Sequence, residues 1–308
     1  MSTAVDPSAT DTDARSGPHR HGRGLDRAYY WMVLPAFVLF FVLHTIPVLQ
    51  GIFYSFTDSP GYGAWNFVGL SNYTSLFSDP RVVDAYIFTF KFALITTVLV
   101  NVIGLAIAIG LNSRIKLKNT LRGVYFIPYV LALLVIGYVF SYMFNQSLPT
   151  IGQALGIEAL SSSLLADPEL AWIGIVIMTV WQGAAFTIII YLAGLQTVPG
   201  ELYEAAAIDG ATPWRQFWSI TMPMIWGFFT INVVLALKNF LQVFDQIIAM
   251  TGGGPGTSTE SIGVLIYRGG FEGGEYGYQL ANAVLFMIVI IAFAFFQLRV
   301  LRREEVSA

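Results

Sequence analysis

Residues 201–223 read Glu201-Leu-Tyr-Glu204-Ala-Ala-Ala-Ile-Asp-Gly210-Ala-Thr-Pro213-Trp-Arg-Gln-Phe-Trp-Ser-Ile220-Thr-Met-Pro223, a polar, helix-forming island between two long apolar stretches. Glu201 and Glu204 suit the positive end of a helix dipole, and Ala205, Ala206 and Ala207 are strong helix formers with little bulk. Pro199 presets the backbone angle of a first turn. Gly210 suits the left-handed residue that ends a helix. Thr212 then supplies an N-cap oxygen, with Pro213 at the first position of a second helix. Trp214, Phe217 and Trp218 give that helix an apolar face. Physical chemistry alone leaves two readings open. The island is a docking surface for a soluble partner, or an amphipathic connector packed on the protein's own spans.

Working outward, the solvent of the rest is lipid. The chain is 56% hydrophobic and 11% charged, against about 25% charged in soluble domains. A bilayer core needs about 20 apolar residues per helix. Six segments qualify: 29–56, 86–111, 123–144, 170–195, 222–250 and 280–301. The expected fold is all-α and polytopic. The first span carries Pro35 and Pro47, and its end beyond Pro47 is expected to bend or leave the membrane. Residues 1–28 read as a disordered tail, 29–303 as the membrane domain with its polar loop at 196–221, and 304–308 as a second tail. The long polar start and the length of the first apolar segment argue for a retained span rather than a signal peptide.

Basic residues set the orientation. With the N-terminus in the cytoplasm, that side holds Arg15, Arg20, Arg23, Arg27, Arg114, Lys116, Lys118, Arg122, Arg215, Arg299, Arg302 and Arg303; the opposite side holds Arg81 and Arg268. Both termini and the island are therefore expected in the cytoplasm. The outer connections, 57–85 and 251–279, are rich in glycine and aromatics, as an interfacial belt would be.

Several chemistries are excluded. A net charge of −3 with scattered basic residues gives nucleic acid no footprint, and zero cysteines remove thiol chemistry and disulfides. His19, His21 and His44 make no convincing metal centre. The glycine-rich stretch 251–259 has no lysine, so it is no phosphate-cradling loop. Asp167 with Glu169, and Glu272 with Glu275, read as solvated loop charge. No catalytic residue, cofactor or metal is expected in this chain.

Polar residues inside spans are costly and therefore informative. Lys238, Gln242 and Asp245 recur at i, i+4 and i+7 in the fifth span, flanked by Asn239 and interleaved with Phe244. Hydrogen-bonding groups beside aromatic faces suit a face that lines water or a polar ligand, so this stripe is a candidate translocation path. Interhelical hydrogen bonding or a Lys238–Asp245 ion pair is the rival. Tyr142 and Trp181 are weaker path candidates, as are Tyr138 and Ser141.

The order Glu204-Ala205-Ala206, three residues, Gly210, nine residues, Ile220, then Pro223 resembles the signature loop of binding-protein-dependent ABC importer membrane subunits, with Met222 where leucine is usual. Phe67-Val-Gly-Leu-Ser-Asn-Tyr73 resembles a segment after the first span of sugar-importer permeases. Thr251-Gly-Gly-Gly-Pro255, after Phe244-Asp245, resembles the stretch after their penultimate span. The resemblance covers nearly everything beyond residue 28. It implies a type I importer permease fold in the bacterial inner membrane, of the six-span glycerol-phosphate and oligosaccharide type, first subunit of a permease pair. It also implies a coupling helix at 199–210, with Glu201, Glu204, Ala205, Ala206, Asp209 and Gly210 docking on a cytoplasmic ATPase pair that carries ATP and Mg. An extracytoplasmic sugar-binding protein and a second permease complete the implied assembly. Two other functions stay open on the residues themselves: an ion-coupled secondary transporter, and a non-transporting membrane sensor.

Overall fold

The computed structural model describes residues 23–113 and 116–305. The expectations for 1–22 and 306–308, and the placement of Arg114, lie outside the described residues. The chain divides after Gln50 into two units.

In the first unit, α1 (Arg23–Phe40) leads into a wide π turn, Phe41–Thr45, and the first half of α2 (Ile46–Tyr54), whose last four residues belong to the second unit. The helix starts six residues inside the expected tail, because Leu25-Asp-Arg-Ala28 has adequate helix propensity to extend the apolar stretch outward. Nor does the chain bend away after Pro47. Pro47 offers no N–H to the preceding turn, and the π turn, closed by Ile46 N–H to the Phe41 carbonyl, absorbs that loss.

The second unit continues with an aromatic loop and the short α3 (Ser71–Leu76). There Asp58 accepts from both the backbone N–H and the side-chain amide of Asn66, which holds its carboxyl below the usual carboxylate range. The long α4 (Pro80–Asn112) starts on Asp79, whose side chain caps the Arg81 N–H at 3.0 Å, with Pro80 first in the helix. Next come α5 (Lys118–Val130), α6 (Leu133–Tyr142), a π turn at Met143–Ser147, α7 (Leu148–Leu155) and α8 (Ala171–Thr197). The island follows as α9 (Gly200–Ile208), α10 (Pro213–Gln216), a π turn at Phe217–Thr221 and α11 (Met222–Met224). The chain closes with α12 (Trp226–Leu241), α13 (Asp245–Met250), α14 (Ile262–Tyr267) and α15 (Tyr276–Glu305). The helix thus runs to Glu305, two residues into the expected C-terminal tail.

Among the described residues, four helical stretches are long and apolar enough to cross a bilayer singly: Tyr29–Tyr54, Pro80–Asn112, Ala171–Thr197 and Tyr276–Gln297. The third and fifth expected spans are instead bent pairs. Lys118–Val130 meets Leu133–Leu155 at 93°, and Pro213–Met224 meets Trp226–Leu241 at 72°. Proline accounts for both weak points. Pro128 and Pro223 withdraw N–H groups just before the extended pair Leu131-Ala132 and before Ile225.

Membrane helices gain little from burying apolar surface against each other, so close approach and polar pairing decide where they touch. The most extensive contact is α4 against α8. A Cβ on Gly104 would stand 2.7 Å from Thr187 Cγ2, so only glycine allows the approach. Gly194 of α8 admits the Phe228 ring of α12 in the same way, at 2.7 Å, and Gly137 of α6 faces Ala249 of α13. Beside the first crossing, Tyr191 donates to Asn101 Oδ1 at 2.6 Å, and Asn232 donates to the Thr187 carbonyl at 3.3 Å. All three side chains are buried. Gly104→Leu should therefore cost about 1–3 kcal/mol through overpacking, read as a lowered Tm in detergent. Gly110→Leu, with open space around its Cβ, should leave Tm unchanged.

Candidate functional site

At the island, α9 spans Gly200–Ile208, inside the expected 199–210. Pro199 stands before it as the N-cap, with ψ 131°, rather than in the first turn. The helix ends as the glycine predicts. Gly210 has φ +76°, its N–H bonds the Ala207 carbonyl at 3.1 Å, and the Ala211 N–H reaches back to Ala206 at 2.8 Å. This pair of bonds satisfies the last carbonyls and turns the chain sharply. Thr212 Oγ1 then caps the Arg215 N–H at 3.4 Å, with Pro213 first in α10.

What α9 touches separates the two readings of the island. No residue of α9 is buried. Ile208 is 87% exposed, and Leu202, Glu201, Glu204, Ala205 and Asp209 are exposed too, while Ala206 is half-buried. One side chain ties the helix down. Tyr203 packs on the main core and its hydroxyl meets Thr221 Oγ1 at 2.8 Å. Leu202 and Ile208 thus face outward and Tyr203 and Ala206 inward, which leaves α9 only a narrow inward face.

In the fifth span the expected helical stripe is interrupted. Helix α12 ends at Leu241, Gln242 and Phe244 leave helical geometry, and α13 starts at Asp245. Lys238, Gln242 and Asp245 therefore do not share one continuous helix face. The break is held from outside the segment: Ser261 donates its hydroxyl to the Val243 carbonyl at 2.8 Å. Lys238, Asn239, Gln242 and Asp245 are nonetheless all exposed. No ion pair reaches Lys238 or Asp245 among the described residues, so the rival Lys238–Asp245 pair is not formed. Phe244, half-buried, packs edge-on against Tyr267 at 5.5 Å.

The remaining path candidates fall elsewhere. Tyr142 is 67% exposed near the end of α6. Trp181 packs on Phe140 at 5.3 Å, lines an apolar cavity between α4, α5 and α8, and is 44% exposed. Ser141 donates to the Met250 carbonyl at 2.9 Å and accepts from Asn145, so it joins α6 to α13.

Sequence reasoning missed Glu260. It is 2% exposed, accepts from Arg81 Nε at 3.1 Å and Arg81 Nη2 at 3.4 Å, and has Arg268 Nη1 at 4.0 Å. Its neighbour Thr259 donates to the Gly254 carbonyl at 2.7 Å, and Arg268 lies over Gly253, where a Cβ would meet Nη1 at 3.2 Å. The glycine-rich loop is thus pinned to α4 and α14. The signal available was that Arg81 and Arg268, the two basic residues on that side, each call for an acid, but the sequence does not single out Glu260 from Glu158, Asp167 or Glu169.

Residues 100–306 match the model of the family described as binding-protein-dependent transport system inner membrane component. The chain is 39% identical over 282 residues to the multiple sugar-binding transport system permease protein MsmF of Streptococcus mutans, covering 90% of this chain and 97% of that protein. It is 33% identical to AmyD of Thermoanaerobacterium thermosulfurigenes, a probable starch degradation products transport system permease, covering 91% and 96%. A chain of a bacterial ABC transporter that imports the acidic polysaccharide alginate shares the fold, with a TM-score of 0.80 at 22% identity over 91% of this chain and 96% of that one.

Removing the carboxylate of Glu260 leaves Arg81 and Arg268 without their acceptor. The Arg81 side chain is 42% exposed, so water screens the loss below the about 3–5 kcal/mol of a fully buried pair. Glu260→Ala should lower Tm and speed proteolysis within 251–260, with Glu260→Gln between it and the parent. Equal proteolysis rates in all three would remove the clamp's role.

Proposed function

This chain belongs to the family of binding-protein-dependent transport system inner membrane components, and we propose that it is a permease subunit of an ATP-driven sugar importer. The observation that carries the coupling part is the exposed, small-residue surface of α9, tethered by Tyr203 alone. Ala205 and Ala206 let another backbone come close, while Glu201, Glu204 and Asp209 offer charges to basic groups. The occupant of that surface is a soluble ATPase subunit, one of a pair that holds ATP and Mg. The excess of Lys and Arg in the connections on one side of the sequence supports a cytoplasmic α9 and cytoplasmic termini. A second, related permease completes the path, and a sugar-binding protein delivers cargo at the opposite face.

The path runs along the interrupted fifth span. Lys238, Asn239, Gln242 and Asp245, exposed and without side-chain partners among the described residues, are costly in lipid, and line water at low cost. Their charges balance, and amide groups beside Phe244 suit a neutral, hydroxyl-rich cargo. Oligosaccharide is the sugar class that the resemblance to first-type subunits favours. Binding protein and ATPase each bias one end of an equilibrium between outward- and inward-open states, since coupling requires differential contacts in the two.

Reconstituted with its partners in liposomes, the complex should take up sugar only with ATP inside and loaded binding protein outside. Uptake driven by a proton or sodium gradient alone would overturn this reading. Gly210→Pro forces φ from +76° to about −65°. It should cut uptake about tenfold or more, within the range of coupling free energies, and Glu204→Lys should do the same by reversing a contact charge. Both variants should insert, Glu204→Lys with the parent Tm and Gly210→Pro with a Tm lowered only by the loss of the local Gly210 N–H bond. Gln242→Ala, losing about one hydrogen bond, should lower uptake roughly two- to tenfold.

A further inference from the structure

Two cavities open side by side between α5 and α8, at the end of the bundle nearest α9. One, about 280 Å³, is lined by Arg122 and Gln196 together with apolar side chains of α8. The other, about 590 Å³, extends along α8 and reaches α4, with Leu99, Ile103 and Val180 in its walls and no charged residue. Tyr125, Ala185 and Ile188 line both. The joined space therefore has a cationic, hydrogen-bonding end and a long apolar end. That is the shape and polarity of an amphiphile.

The cationic end lacks a counter-charge. Arg122 is half-buried, its Nε is buried without a hydrogen-bond partner, and no carboxylate pairs with it among the described residues. A guanidinium recognises a phosphate oxygen pair bidentately. Lys116 and Lys118 stand a few residues before it on the same connection, adding positive potential. The apolar end offers a sugar nothing to bond with. A neighbouring protein helix could fill it but would leave the guanidinium unanswered. The surrounding solvent is itself made of molecules with a phosphodiester on an acyl body, so the occupant is always at hand.

We propose that this paired cavity is a binding site for one anionic phospholipid, its phosphodiester on Arg122 and Gln196 and an acyl chain along Ile103 and Val180. The lipid would fill the space between α4, α5 and α8 and so set their spacing.

Native mass spectrometry of the full chain, released from detergent containing equal amounts of phosphatidylglycerol and phosphatidylcholine, tests this. The expected result is one retained phosphatidylglycerol, preferred about tenfold, a ratio consistent with one or two basic contacts. Arg122→Gln should bring the ratio near one, Arg122→Lys should keep most of it, and millimolar inorganic phosphate should not displace the lipid. Ile103→Trp, which fills the apolar end, should lower retention of both lipids. Should Arg122→Gln fail to fold, Gln196→Leu reads the same ratio. An unselective parent, or a preference untouched by the headgroup variants, would overturn the proposal. So would displacement by free phosphate, or a photo-crosslinker at Ile127 in the assembled transporter that captures a permease helix instead of lipid.

Discussion

The crossing of α4 and α8 is the constraint from which the rest of the second unit is built. In lipid there is no solvent to satisfy a stray polar group and little gain from bringing one apolar helix to another. Contact must come from shape and from hydrogen bonds that close on themselves. Gly104 lets Thr187 reach the α4 backbone surface, and the Tyr191–Asn101 bond locks the register. Asn232 then brings α12 to the same place through the Thr187 carbonyl. Three helices are fixed by a handful of small and polar side chains, and the apolar majority fills the space they define.

Helices α4 and α8 were legible in the sequence because they are long, apolar and unbroken. The span read at 170–195 is observed at Ala171–Thr197, and the one at 86–111 sits inside Pro80–Asn112. The island was equally legible, since capping and termination follow local rules that Pro213, Thr212 and Gly210 obey. The breaks were not. An apolar run carries the same signal whether it is straight or bent, and the turn at Gln242–Phe244 depends on a bond from Ser261, which lies 18 residues further on. Glu260 escaped for the same reason: its partner Arg81 is 179 residues distant.

The bends and breaks also explain how a bundle this apolar can hold polar groups at depth. Where α12 stops and α13 begins, freed backbone groups and short polar side chains gather without a long unsatisfied stretch of helix. The neighbouring elements compensate. Ser261 takes the Val243 carbonyl, and the Ile248 N–H returns to Phe244 at 2.9 Å. Irregular backbone at membrane depth is tolerated where it lines a cavity or is covered by protein. The interruption and the exposed polar set occur together, and neither is stable without the other.

One contact at the opposite end has a mechanical meaning. The extended pair Val198-Pro199 and the Gly210 turn are the two free corners of α9, one leading from α8 and the other toward α10, α11 and α12. The hydroxyl pair Tyr203–Thr221 closes the third side. Two corners alone would let α9 swing like a gate and dissipate any push. A triangle cannot shear; it can only rotate as a body. The island is therefore held at three points, and the Tyr203 hydroxyl is the one that joins the body of α9 to the segment leading into α11 and α12.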